Sequence, residues 1–177
     1  MRVIAGEHRG RPLVAPGGRG TRPTPDRVRE SVFSILSSVA GARVLDLFAG
    51  SGALAIEALS RGAAEASLVD SSTAAVAAIR RNLTALGLHA DVCPMRAAAF
   101  LERARAAGRQ YDLVFLDPPY RHASGLGHEL STALAPLLAP EARVVAESDR
   151  RAPLELDLPL FDMRRYGDTL IQLYGSS

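Results

Sequence analysis

Asp46-Leu47-Phe48-Ala49-Gly50-Ser51-Gly52-Ala53-Leu54 joins an apolar run to a glycine pair, then to a second apolar run. Arg43–Phe48 reads as a buried strand, the glycines as a turn, and residues 53–61 as a helix. A strand that passes through glycines into a helix opens a strand–helix–strand unit, which implies a parallel sheet. The alternation continues downstream. Ala66–Asp70 is a second strand, and the alanine-rich residues 72–86 form a helix stopped by Gly87. Ala90–Cys93 is a third strand, followed by a helix over 96–107 that Gly108 stops. Asp112–Leu116, a continuous apolar run, is a fourth strand buried on both faces. A loop over 117–123, a helix over 124–138 and a fifth strand, Arg143–Glu147, complete the series. Residues 158–165 and 169–174 flank Gly167-Asp168, a turn signal, so the chain is expected to end in an antiparallel hairpin. The fold class is therefore α/β, a doubly wound, mostly parallel seven-stranded sheet with an antiparallel C-terminal hairpin.

Upstream of Arg43 the rhythm differs. Residues 2–5 and 11–14 are short strand-like pieces joined through Gly6 and Gly10, which predicts a small hairpin. Pro16-Gly17-Gly18-Arg19-Gly20 breaks the pattern. Thr24-Pro25-Asp26 then predicts a helix start, with Thr24 as N-cap and Pro25 at the first helical position. That helix places Val28, Val32, Ile35, Leu36 and Val39 on one face and ends near Gly41. The chain thus divides into an extension (1–41) and a body (42–177).

Charge divides the same way. Residues 1–41 carry seven arginines against three acids, whereas the rest carries fourteen against sixteen. A basic arm on a slightly acidic body is a footprint of a polyanion partner. Arg9, Arg11, Arg22, Arg27 and Arg29 are the candidate phosphate contacts, with Arg121 a further one on the body. The single cysteine, Cys93, excludes an internal disulfide framework and fits a reducing compartment. No secretory signal and no membrane-length apolar run is visible, so a soluble, cytoplasmic protein is expected; a monomer is expected as well. His8, His89, His122 and His128 are scattered without metal-ligand spacing, so no metal is expected.

In a doubly wound sheet, ligands bind at the carboxyl ends of the strands. Gly50 and Gly52 let the backbone approach a ligand there. Asp70, at the end of the second strand, can accept from ribose hydroxyls. Two ligands satisfy this pattern. Gly50-x-Gly52-x-x-Ala55 fits a dinucleotide whose pyrophosphate lies at the helix N-terminus. It also fits S-adenosylmethionine, with Asp46 near the charged amino group.

Asp117-Pro118-Pro119-Tyr120 favours the second. The lone pair of an exocyclic base amine is delocalised into the ring, so the amine is a poor nucleophile. An acceptor pair, Asp117 Oδ and the Pro118 carbonyl, can hold its hydrogens and turn the lone pair toward a methyl group. Pro118 and Pro119 stiffen that geometry, and Tyr120 offers a ring for a base to stack on. Most of the rate gain would come from alignment.

Asp46–Gly52 together with Asp117–Tyr120 resembles class I, Rossmann-like methyltransferases that modify amino groups. Arg2-Val3-Ile4-Ala5-Gly6, Arg9-Gly10-Arg11, Arg22-Pro23-Thr24, Asp26–Glu30 and Gly50–Gly62 narrow the likeness. They are similar to the bacterial 16S rRNA (guanine(966)-N2)-methyltransferase family across nearly the whole chain. The resemblance implies methyl transfer from S-adenosylmethionine to a guanine N2, on 16S rRNA within the small subunit or an assembly intermediate. It further implies cofactor contacts from Asp46, Phe48, Ala49, Gly50, Gly52, Asp70, Ser71, Arg96, Ala97 and Asp117. Arg96 stands where relatives carry Asp or Asn for the adenine amine, which shifts that role to backbone groups near Arg96 and Ala97. Asp70 replaces the Glu of many relatives. Three rivals are a DNA adenine or cytosine methyltransferase, an RNA-binding assembly factor with an inactive site, and a nicotinamide oxidoreductase. The last accounts for neither Asp117–Tyr120 nor the basic arm.

Overall fold

The computed structural model describes residues 1–17, 24–119 and 125–175. The strands are β1 (Arg43–Leu47), β2 (Glu65–Asp70), β3 (Asp91–Pro94), β4 (Tyr111–Leu116), β5 (Leu138–Asp149), β6 (Leu160–Tyr166) and β7 (Thr169–Gly175). They form one sheet in the order β3-β2-β1-β4-β5-β7-β6. β1 to β5 pair in parallel, and β7 runs antiparallel to both β5 and β6. That inserted antiparallel strand separates the fold from the 3-2-1-4-5-6 order of dinucleotide-binding domains.

Five helices cover the two faces: α1 (Asp26–Leu36), α2 (Ala53–Ser60), α3 (Thr73–Leu86), α4 (Ala97–Ala106) and α5 (Leu126–Leu134). Side chains alternate along each strand, so two cores result. Val44, Leu113, Phe115, Val145 and Leu173 pack with α1, α2 and α3. Leu45, Leu47, Val114, Leu116 and Val144 pack with α4 and α5. No helix of the described residues is long and apolar enough to cross a membrane.

The described part of residues 1–41 contributes Val3, Leu13, Val28, Val32, Phe33, Leu36 and Val39 to the first core. The expected hairpin is reduced to one antiparallel bridge, Arg2 with Pro12, and backbone bonds beside it such as Gly10 N to Val3 O at 2.8 Å. It docks on α2. The Glu57 carboxylate accepts from the Ile4 and Ala5 amides at 2.7 and 3.0 Å, and Ser60 Oγ accepts from His8 N. A Cβ on Gly6 would lie 1.8 Å from the Ser60 carbonyl oxygen, so only glycine permits this approach.

Several boundaries differ from expectation, among them the end of α5, at Leu134 and not 138 because Ala135–Leu137 form a 3-10 turn. α1 starts at Asp26 rather than Pro25, and Thr24 does not cap it: the Thr24 hydroxyl donates to Glu147 Oε2 at 2.6 Å. α1 stops at Leu36, where Ser37 adopts a φ of 62°, and the Arg143 guanidinium donates to the Leu36 and Ser38 carbonyls. A cation there satisfies carbonyls left open at a helix C-terminus. β5 begins at Leu138, five residues before Arg143, because the chain passes Pro140 and Glu141 through a register irregularity instead of a loop.

Candidate active site

Strand order reverses between β1 and β4, and the crevice outside their carboxyl ends is where such sheets bind ligands. The registers place the functional side chains there. Leu47 is level with Val69 on β2 and Leu116 on β4, and Leu116 is level with Ala146 on β5. One residue further on, Asp70, Asp117 and Glu147 form a row along the sheet edge, neighbouring strands being about 4.8 Å apart. Asp46 lies one residue inside β1's end, on the same face of the sheet. That face is the one covered by α1 and α2.

The glycine turn closes over Asp46. Phe48 adopts a φ of 68°, a left-handed conformation that costs a non-glycine residue about 1–3 kcal/mol. The turn is then tied down: Ala49 N donates to Val69 O at 3.0 Å, and Gly50 N to Asp70 Oδ2 at 2.9 Å. Asp70 Oδ1 accepts from Ser72 N at 2.8 Å, and Ser72, not Ser71, caps α3. Each Asp70 oxygen therefore keeps a lone pair for a ligand hydroxyl.

The two glycines have different jobs. A Cβ on Gly50 would meet nothing within 4 Å, so its outer side is open to a ligand. A Cβ on Gly52 would come 2.8 Å from Leu68 Cδ2 and 3.3 Å from Ile79 Cγ1. Gly52 is thus required by packing at a φ of 78°, a demand that the sequence reading did not foresee.

Asp46 is 2% exposed, and its Oδ2 accepts from Ala55 N at 3.2 Å. Burial pushes its carboxyl up to about 7; the amide bond opposes this, and the Asp70 charge adds to it. Asp117 is raised well above the usual carboxylate range, first by burial and then by the charges of Glu147 and Asp46. Some of the residue's surface remains accessible at the mouth, with Pro118 buried behind it and Pro119 exposed. Four acids around one crevice make it strongly receptive to a cation. Among the described residues, no group of three or more His, Cys, Asp or Glu is arranged to hold a metal ion.

Arg96 and Ala97 lie at the N-terminus of α4, with Arg96 exposed and no side chain capping the first-turn amides. Tyr120, Arg121 and Arg22 lie outside the described residues. Arg9 and Arg27 are exposed, and Arg11 is exposed with its Nη2 donating to Ala85 O at 2.8 Å. Arg29 is a correction. It is fully buried, donates to Asp26 Oδ1 at 2.7 Å and to the Arg2 carbonyl, and stands 3.9 Å from Glu57. It is a core cation and presents nothing to a phosphate.

Sequence reasoning missed two anchors. Asn82 is buried on α3 and bridges the extension to the glycine turn. Its amide donates to Val14 O and Ser51 O, both at 2.9 Å, and its Oδ1 accepts from Val14 N. Glu57 binds the extension as described above and also accepts from Arg61 Nε at 2.7 Å. Both sit at helical spacing among apolar residues, which is the signal that could have exposed them.

Another hollow, about 770 Å³, lies at the opposite edge of the sheet between Arg43 and Tyr111. Both arginines that line it are already paired, Arg43 with Asp112 and Arg109 with Asp91. The chemistry-bearing residues gather at the other edge.

Residues 1–175 match the family described as Conserved hypothetical protein 95. The chain belongs to this family. Among its relatives, YlbH of Bacillus subtilis is 38% identical, with the match covering 98% of each chain. Ribosomal RNA small subunit methyltransferase D of Escherichia coli is 42% identical over 84% of this chain and 75% of its own. The solved structure of yhhF from Escherichia coli superposes with a TM-score of 0.85 at 36% identity, covering 100% of this chain and 98% of that one. The family likeness read from the N-terminal segments therefore holds, as does the seven-stranded methyltransferase-like sheet.

Proposed function

We propose that this protein transfers a methyl group from S-adenosylmethionine to the exocyclic N2 of a guanine in small-subunit ribosomal RNA. The observation that carries this reading is the placement of Asp117-Pro118 after β4, across the switch point from the turn at Gly50 and level with Glu147. The residues present fit the cofactor. It bears two positive centres, and buried Asp46 lacks a cationic partner among the described residues. Asp46 would hold the ammonium group, Asp70 the ribose hydroxyls, and the open side of Gly50 would leave room for the methionine end. Backbone groups near Arg96 and Ala97 would meet the adenine. Bound there, S-adenosylmethionine supplies an electrophilic methyl group.

Asp117 Oδ and the Pro118 carbonyl accept the two hydrogens of the guanine amine and direct its lone pair. On gaining the methyl group, the nitrogen would carry a positive charge, become acidic and release one proton. The raised proton affinity of Asp117 makes it a suitable acceptor for that proton. Tyr120 would stack on the base and Arg121 contact the strand. Arg9, Arg11, Arg22 and Arg27 would bind phosphates, in a cytoplasmic monomer acting on the subunit or its assembly intermediate.

The test is transfer of labelled methyl groups to small subunits from cells lacking the gene. N2-methylguanine in 16S rRNA is the expected product; label in DNA alone, or none, would end the proposal. Cofactor affinity in the same preparation carries a pH signature. Asp46 binds the ammonium group only when ionised, and its carboxyl titrates at about 7 in the free protein. Calorimetry should show affinity rising as pH increases from 6 to 8, with a proton released at the acid end. A flat profile would remove Asp46 from the ammonium site.

A further inference from the structure

β5 and β7 run antiparallel, with Asp149 opposite Thr169, so the β6–β7 turn lies at the same edge of the sheet as Asp117 and Glu147. α1 begins at that edge too, because Thr24 is bonded to Glu147. Between them is a groove of about 360 Å³, walled by Arg27 and Val28 on one side and Arg165, Tyr166 and Thr169 on the other. The Tyr166 hydroxyl is bonded to Ser31 Oγ, which locks the hairpin to α1 and fixes the two walls relative to each other.

The charges here are unevenly matched. Arg164 pairs with Asp162 at 3.0 Å, and Arg150 and Arg151 share Asp168 at 3.7 and 3.8 Å. Asp26 is occupied by Arg29 and Arg2. Arg27 and Arg165 are exposed and have no ion-pair partner among the described residues. Two unpaired guanidiniums on opposite walls of a preformed groove suit a planar-fork grip on an anionic oxygen.

We infer that this groove holds the sugar–phosphate backbone of the substrate RNA beside the target guanosine, with Arg165 and Arg27 as positioning residues. The inference rests on the proposed function for the identity of the strand. The groove lies at the edge of the sheet that carries Asp117 and Glu147, so a strand lying in it would bring a neighbouring nucleotide toward the crevice. The basic arm is then only half of the RNA-binding surface, and the C-terminal hairpin is the other half.

The test is binding of a fluorescein-labelled 16S rRNA fragment, followed by anisotropy between 50 and 300 mM salt. Arg165→Ala and Arg27→Ala should each weaken Kd about five- to tenfold at the lowest salt. Each should also flatten the log–log salt slope by about 0.7, the value for one lost single-strand phosphate contact. Arg165→Lys should recover most of the affinity, and Arg105→Ala, on the exposed side of α4, should match the wild type. With small subunits as substrate, Arg165→Ala should raise KM and leave kcat within about twofold. Arg165→Ala with wild-type affinity and slope would overturn the inference. A wild-type protein that bound the RNA with these slopes but never methylated it would refute the substrate assignment and still support the groove.

Discussion

Asp117→Asn should lower kcat for methyl transfer about a hundred- to a thousandfold, the usual effect of removing a group that acts at the reacting atom. The substitution keeps the shape of the side chain and one acceptor oxygen. It also turns an NH2 group toward the amine hydrogens and removes the site that takes the released proton. A second readout separates catalysis from folding. Asp117 sits under the negative charges of Glu147 and Asp46, and its carboxyl is raised well above the ordinary range. The sign follows from linkage: an acid with a raised folded-state pKa is most favourable when protonated, and stability falls as pH climbs through that value. A neutral amide is free of this penalty. At pH 8, Asp117→Asn should therefore melt at a higher temperature than the wild type while being nearly inactive. Loss of activity with a lower melting temperature would point to a structural role instead.

Arg29→Ala should be the most destabilising arginine substitution in the chain, by about 3–5 kcal/mol, the range for removing one partner of a buried ion pair. For a domain of this size, that corresponds to a fall of roughly 10 °C in Tm. The reason is what remains behind. Glu57 is fully buried, and among the described residues its only other cation is Arg61 and Asp26 would retain only Arg2 at 3.6 Å. The Arg2 carbonyl would lose its donor too. Arg29 Nε and Nη1 find no hydrogen-bond partner among the described residues. An apolar replacement that fills the space, Arg29→Met with Glu57→Gln, should therefore recover much of the loss. At temperatures where the single variant is folded, its RNA salt slope should equal the wild type's. A reduced slope would return Arg29 to the phosphate-binding set.

The contrast between Arg27 and Arg29 marks the limit of local reading. Both lie in one helix of the basic arm, and composition treats them alike. Helical spacing already sets Arg29 beside Val32, Phe33 and Leu36, the buried face, whereas Arg27 points outward. The counter-charge, Glu57, comes from another helix, and no local window contains it. Thr24 shows the same effect over a longer reach: a cap by every local rule, it bonds to Glu147, 123 residues away. Where long-range partners were not needed, the sequence was sufficient. Alternating apolar runs and glycine stops gave the parallel strands and their order of appearance. The positions of Asp70 and Asp117 at strand ends were legible because each closes an apolar run, and that of Asp46 because it interrupts one just before the glycine turn. The packing demand on Gly52 was not legible, since its neighbours Leu68 and Ile79 belong to elements that only the fold brings together.

The acid row also bears on stability. Like charges at one sheet edge oppose folding, and part of that opposition is relieved by protonation of Asp46 and Asp117. A cationic cofactor relieves it further, so binding energy and folding stability are linked at the same residues.

The most direct measurement is a crystal structure of the complex with S-adenosylhomocysteine and a guanosine-containing RNA fragment. The guanine N2 is predicted to lie about 3 Å from both an Asp117 Oδ and the Pro118 carbonyl oxygen, facing the cofactor sulfur. A base bound elsewhere, or an Asp117 carboxyl directed away from that amine, would contradict the account.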